Sequence, residues 1–331
     1  MTTNIHFNSF SKGQFNKNYA PIANLIGRAF INQGFTVTKE PGLLWWQELD
    51  GVTEQIGGDE GCYNIYCETN IDPIIESPMD LFFGVSAPLP GYFTLDKIGS
   101  VPYIEPTYTK PDLDKIDVKN YPTELVNDII ANKQNHFHSK TLNPGLDSPS
   151  IDVPEDHLLI LVNESETDWR NGWQRLQTII NRLLVTEKMP IVIKYDPRFT
   201  LNPDGTYSDT KIKEHEMMFN TLSVHDNITV FTGQESIHDI MPKSKVVLVD
   251  ESSQNLEMFY YDKPTITHGF PHYRWACKQI LHQHELIPAI KDTSWYNRDL
   301  MRRWFTWYMT EYVCYDQEST DRRVKQLLNI I

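Results

Sequence analysis

The chain has 331 residues, 40% apolar and 22% charged, which suits one large or two smaller cored domains and excludes a disordered chain. Its formal net charge of −14 excludes a general electrostatic pull toward nucleic acid or an anionic membrane, though not a local basic cleft. No stretch approaches the ~20 apolar residues that cross a bilayer, and the opening MTTNIHFNSF lacks the basic start and apolar run of a signal peptide.

In chain order, residues 19–33 place apolar side chains at helical spacing and are followed by Gly34, a helix stop. Residues 35–38 then read as a short strand, 43–46 as a buried strand or turn, and 80–85 (DLFFGV) as a buried strand. The Pro-, Gly- and Tyr-rich stretch 88–106 predicts an extended loop, and 125–135 a helix. Residues 140–156 carry Pro, Gly, Ser and Asp without periodicity, so the domain boundary is expected there. Beyond it, strands at 158–162, 191–194, 228–231, 246–249 and 265–267 alternate with helices at 169–186, 211–222, 236–241 and 256–260. Continuous apolar strands of this kind are buried on both faces, and the alternation predicts a doubly wound parallel sheet. Two helices close the chain, in 299–331. The expected organisation is an α/β domain in 1–145, a Rossmann-like domain in 156–298, and C-terminal helices in 299–331.

In an open parallel sheet, ligands sit at the carboxyl ends of the strands. After Val249 comes Asp-Glu-Ser-Ser-Gln-Asn-Leu-Glu257. Ser252 and Ser253 at a helix start offer hydroxyls and free N–H groups to a phosphate, and Glu257, one turn on, can accept hydrogen bonds from both hydroxyls of a ribose. The bland alternative is an N-cap serine and a solvated Glu. After Ile193 comes Lys194-Tyr-Asp-Pro-Arg198, a solvated turn or a pair of cations for an anionic donor.

These segments together resemble the capsule-polysaccharide glycosyltransferases, the group that includes bacterial Kdo transferases. ESSQNLEMFYYDKPTITHG looks like their serine loop, glutamate helix and Lys-Pro strand. KYDPR is similar to their Lys-x-His-Pro-Arg, with Asp196 in place of the histidine, and LPGYFTLDKIGSV is similar to a first-domain segment, with Leu89 in place of an arginine. MRRWFTWYMTEYV resembles their aromatic C-terminal helix. The resemblance implies an α/β, GT-B-like fold: two Rossmann-like domains with a cleft between them and C-terminal helices closing back. It further implies a nucleotide-sugar donor bound by the second domain without an obligatory metal or other cofactor. By that reading Ser252 and Ser253 hold the donor phosphate, Glu257 the ribose, and Lys194 and Arg198 the donor's charge.

Glycosyl transfer also needs a base for the acceptor hydroxyl. The candidates are Asp96, in the TLD segment, and Asp59 and Glu60, in the turn IGGDEG; turn chemistry explains each equally well. His268 and His272 follow the strand 265–267 and are candidates to contact the donor, the bland alternative being surface or core histidines. The acceptor is a glycan or a hydroxymethylated base in phage DNA, whose binding would draw on Arg298, Arg302, Arg303, Arg322, Arg323 and Lys325; the same spacing suits an ordinary solvated face. A non-catalytic nucleotide- or sugar-binding protein on the same scaffold is the competing reading. A dinucleotide oxidoreductase is disfavoured, since no G-x-G-x-x-G follows a predicted strand. The expected location is the cytoplasm, of the host if the chain is phage-encoded, with Cys62, Cys67, Cys277 and Cys314 as reduced thiols.

Overall fold

A computed structural model describes residues 4–8, 20–41, 51–58, 62–67, 79–85, 88–99, 104–136, 142–162, 178–183, 189–197, 206, 224–231, 235–249 and 256–329. The chain divides into two compact units: Met1–Tyr121 with Arg303–Ile331, and Pro122–Arg302.

Unit 1 carries strands β1 (Asn4–Asn8), β2 (Thr36–Lys39), β3 (Val52–Glu54), β4 (Tyr63–Cys67), β5 (Asp80–Val85) and β6 (Phe93–Asp96) in the order β3-β2-β1-β4-β5-β6. All neighbours are parallel except β5 and β6. Helix α1 (Ala20–Asn32) runs between β1 and β2 and stops at Gly34, whose φ of +84° is a conformation L side chains resist. One sheet face carries Ile5, Phe7, Val37, Ile65 and Leu81, packed with Ile22, Ile26 and Phe30 of α1. The opposite face carries a row of polar side chains in register: Thr53, Thr38, His6, Asn64 and Asp80. That alternation explains why β1, β3 and β4 do not stand out in the sequence as continuous apolar runs. β6 falls within the stretch expected to be loop; it pairs antiparallel with β5 and bridges to Cys314 through Phe93.

In unit 1, α2 (Glu105–Tyr108) is a single short turn. Unit 2 begins with α3 (Thr123–Ala131) and holds β7 (His157–Val162), β8 (Ile191–Tyr195), β9 (Ile228–Phe231), α4 (Ile237–Ile240), β10 (Ser244–Val249), α5 (Glu257–Tyr260), β11 (Thr265–Thr267), β12 (Lys278–Gln279) and α6 (Leu286–Lys291). Its sheet is wholly parallel, in the order β12-β11-β10-β7-β8-β9. Read from β9 inward, this is the doubly wound order 3-2-1-4-5-6, and unit 1 repeats it. The five strands expected here are all present, and the edge strand β12 joins them. Of the expected helix 169–186 the described part, 178–183, is helical; 211–222 and 43–46 lie outside the described residues.

The last helices, α7 (Arg298–Trp307) and α8 (Gln317–Leu328), are separated by a π-helical turn, Tyr308–Tyr312. α8 returns to unit 1: Val324 and Leu327 enter its core, and Gln317 donates to the Leu25 carbonyl at 3.3 Å. The C-terminal helices therefore form no body of their own. The division also falls at 121/122 rather than in 140–156. α3 and the chain after it are bonded to unit 2, with His238 Nε2 at 2.7 Å from the Gln134 carbonyl. No helix among the described residues is long and apolar enough to cross a membrane.

Candidate functional site

In unit 2 the strand order reverses between β7 and β10, and a cavity opens at the carboxyl ends of β7 and β8. Leu161 and Val162 form its floor, Lys194 to Pro197 one wall, Glu235 to Ile237 another, and Glu257 comes from α5. Lys133, Asn135, His136, Leu142, Pro144 and Ser148 complete the lining. Residues 133 and 134 are fixed to α4. Lys133 Nζ lies 2.7 Å from Asp239, and His238 holds both the Gln134 carbonyl and, at 2.9 Å, the Tyr261 hydroxyl. Ser236 caps α4, accepting from the His238 N–H at 3.2 Å.

Glu257 is 7% exposed, and its Oε2 has no hydrogen-bond partner among the described residues. Burial raises its carboxyl from an ordinary 4.5 to about 7; nearby backbone N–H groups oppose the rise, and Asp196 adds to it. An unpartnered buried carboxyl oxygen costs stability, so it is a candidate to meet a ligand donor. Lys194, also buried, lines the same cavity. Its Nζ donates to the Tyr195 carbonyl at 2.9 Å and stands 3.9 Å from Glu235. Burial lowers this amine from 10.5 to about 8, with Glu235 and Asp196 pulling the other way. A raised acid and a lowered amine lining one cavity at a topological switch point are the features expected of a ligand site.

The structure thus brings Lys194 and Glu257 together. Arg198, Ser252 and Ser253, and in unit 1 Asp59 and Glu60, lie outside the described residues. His268 follows β11, its N–H donating to the Val249 carbonyl at 3.3 Å, and is not among the cavity's lining residues. His272 is fully buried, which pushes its imidazole down to about 3. Glu235 and His136 also line the cavity, although neither belongs to the motifs that point to a site in the sequence. Glu235 stands shortly past the carboxyl end of β9, where the same strand-end rule that marks Lys194 after β8 applies to it.

Asp96 is 0% exposed within unit 1 and faces inward. It accepts from the N–H of Ile98 at 2.7 Å, the N–H of Glu105 at 3.1 Å and the Tyr312 hydroxyl, and Arg323 Nη2 stands 3.5 Å away. Arg323 also donates to the Leu95 carbonyl at 2.9 Å and lies over the Tyr312 ring at 4.4 Å. This carboxylate ties β6 to the C-terminal helices, and receiving a proton from an acceptor would first require breaking that network. Four of the six cations of the expected basic face are likewise engaged in structure. Arg298 and Arg302 both bind Asp262, Arg303 donates to the Ile116 carbonyl at 2.7 Å, and Arg323 is buried. Among the described residues no group of three or more His, Cys, Asp or Glu side chains is placed to hold a metal ion.

No family model and no curated protein matches the chain. Solved structures do. The beta Kdo 2,4 transferase of Thermosulfurimonas dismutans is similar at 12% identity over 100% of this chain and 98% of that one, with a TM-score of 0.55. The beta Kdo 2,7 transferase of the same organism is 13% identical over 100% and 99%, with a TM-score of 0.44. A Methanocaldococcus jannaschii UDP-GlcNAc 2-epimerase, solved with UDP-GlcNAc and UDP, is 11% identical over 100% of both chains, with a TM-score of 0.40. At these identities the likeness is one of fold, carried by the first comparison: the chain has the α/β fold of the GT-B glycosyltransferases, built from two Rossmann-like units.

Proposed function

We propose that this chain is a glycosyltransferase that takes its sugar from a nucleotide-sugar donor seated in the unit 2 cavity. The observation that carries the reading is Glu257, a buried carboxyl with an oxygen unpartnered among the described residues, in a cavity at the strand-order reversal. Such a group accepts hydrogen bonds from the ribose hydroxyls, while the hydroxyls of Ser252 and Ser253 and the cations Lys194 and Arg198 meet the donor phosphates. Positive potential there stabilises the phosphate that leaves as the bond to the anomeric carbon breaks. Asp59 and Glu60 remain the proposed bases. The acceptor is a glycan hydroxyl. A hydroxymethylated DNA base is less well supported, because Arg298, Arg302, Arg303 and Arg323 are engaged within the protein.

A second reading, a binding protein that does not turn its ligand over, is favoured by Asp196 at the place where the resembled family carries a histidine. A panel of nucleotide sugars separates the two by thermal shift and by nucleotide release. Glu257→Ala is expected to weaken donor affinity about tenfold or more, the usual loss for a hydrogen bond to a charged group. Unchanged affinity in that variant refutes the ribose assignment. A shift without release identifies the binding protein.

A further inference from the structure

Unit 1 contains a polar construction that the donor reading does not use. His6, in the middle of β1 and of the polar row on its sheet, is 0% exposed. Its Nδ1 lies 2.8 Å from the Thr38 hydroxyl, which itself donates to the Ile5 carbonyl at 3.2 Å. Its Nε2 faces Glu40 Oε1 at 3.4 Å. Glu40 is the first residue past β2, and its N–H donates to the Phe7 carbonyl at 3.1 Å, so its backbone extends the parallel ladder to the carboxyl edge of the sheet. The same Oε1 accepts the Gly57 N–H at 3.1 Å. With 28% of its side chain exposed, Glu40 has one oxygen anchored from behind and from the side, and Oε2 stands outside these bonds.

The surroundings are built to hold this arrangement. Gly57 takes a φ of +69°, and a Cβ on Gly58 would stand 2.3 Å from Cys62 Sγ and 3.1 Å from His6 Cβ. The turn therefore closes down on the buried histidine only because it lacks side chains. A Val at position 6 would satisfy the sheet with no polar group to bury. A buried ring whose two nitrogens run from Thr38 to a surface carboxylate instead fixes that carboxylate's rotamer, as supporting shells do at binding sites.

The position is also informative. β1, α1 and β2 form the first β-α-β unit of a sheet in doubly wound order, and an acid at the carboxyl end of the second strand of such a unit is where vicinal hydroxyls are held. The sequence between β1 and α1, SFSKGQFNKNY, has one glycine and no pyrophosphate fingerprint, so a dinucleotide is not implied. We propose that the carboxyl edge of the unit 1 sheet is a second ligand site, in which Glu40, positioned by His6, binds a pair of neighbouring hydroxyl groups. Two sources share that chemistry, the ribose of a nucleoside and the pyranose of a saccharide.

Saturation-transfer NMR on the full chain tests this, in the Glu257→Ala background so that the unit 2 cavity contributes less. The probes are uridine against 2′-deoxyuridine, and methyl mannoside against its 2-deoxy analogue. Transfer to one diol probe and not to its deoxy partner is expected, weakened about tenfold by adding Glu40→Gln. Glu40→Asp, which keeps the charge and withdraws it by one methylene, should weaken it in the same direction. Signal from uridine names the ribose, and signal from the mannoside the pyranose. Loss of all diol binding in Glu257→Ala alone, or equal binding with and without Glu40→Gln, overturns the proposal. Donor binding by unit 2 is read separately, from the thermal shift of the wild-type chain, so the two readings fail independently.

Discussion

Replacing Glu257 by glutamine is expected to stabilise the ligand-free protein at about pH 8 while impairing donor binding. The buried carboxyl is displaced from 4.5 to about 7 by desolvation. At ~1.36 kcal/mol per pH unit, the folded state bears a penalty of about 3 kcal/mol when this group is charged. The folded value lies above the unfolded one, so the penalty is full above about pH 7, shrinks as the pH falls from 7 to 4.5, and vanishes below, where both states are protonated. Glutamine keeps the shape and cannot ionise. Its amide still lacks partners, so about 3 kcal/mol is a ceiling. For a domain the size of unit 2, residues 122–302, that ceiling corresponds to a rise in Tm of about 6–12 °C. The assay is a melting curve of wild type and Glu257→Gln over a series of pH values. Groups that titrate alike in both proteins cancel in the difference, which isolates position 257. A gap that stays flat between pH 8 and pH 4.5, or a glutamine variant less stable at pH 8, refutes the argument that this carboxyl is held buried, with one oxygen unpartnered, at a cost to the fold. A stabilised variant that no longer binds donor is the pattern expected where function maintains local strain.

The other variants act through different physics. Glu257→Ala lowers donor affinity, and Glu40→Gln lowers diol binding in unit 1, each about tenfold, read by thermal shift and by saturation transfer. Gly58→Ala forces a methyl against Cys62 Sγ and His6, and should cost about 1–3 kcal/mol in urea unfolding together with the unit 1 diol signal. Asp96→Ala leaves Arg323 and Tyr312 without their shared partner and should destabilise by about 3–5 kcal/mol. If Asp96→Ala folds with wild-type stability and loses turnover instead, this carboxylate acts in chemistry rather than in holding β6.

The sequence by itself determined the architecture of unit 2 and part of unit 1. Strands such as Leu158–Val162 and Val246–Val249 are buried on both faces, so they are apolar along their length and legible one segment at a time. Helix α1 ending at Gly34 is equally local. The rule that ligands meet the carboxyl ends of strands led directly to Lys194 and Glu257, which do line one cavity. Tertiary structure alone decided the rest. β1 and β4 hide behind alternating polar residues because the second face of their sheet is a hydrogen-bonded row, and such a row is recognisable only once the register is known. β6 depends on β5 and on Cys314, more than two hundred residues away, and α8 rejoins the first unit by packing on α1. Whether a carboxylate is free or engaged also depends on neighbours brought from afar: Asp96 meets Arg323, Glu40 meets His6, and Glu257 meets no hydrogen-bond partner at Oε2 among the described residues. Periodicity records which side of an element is buried. It does not record what lies against that side, and the energy of a buried charge is set almost wholly by what it faces.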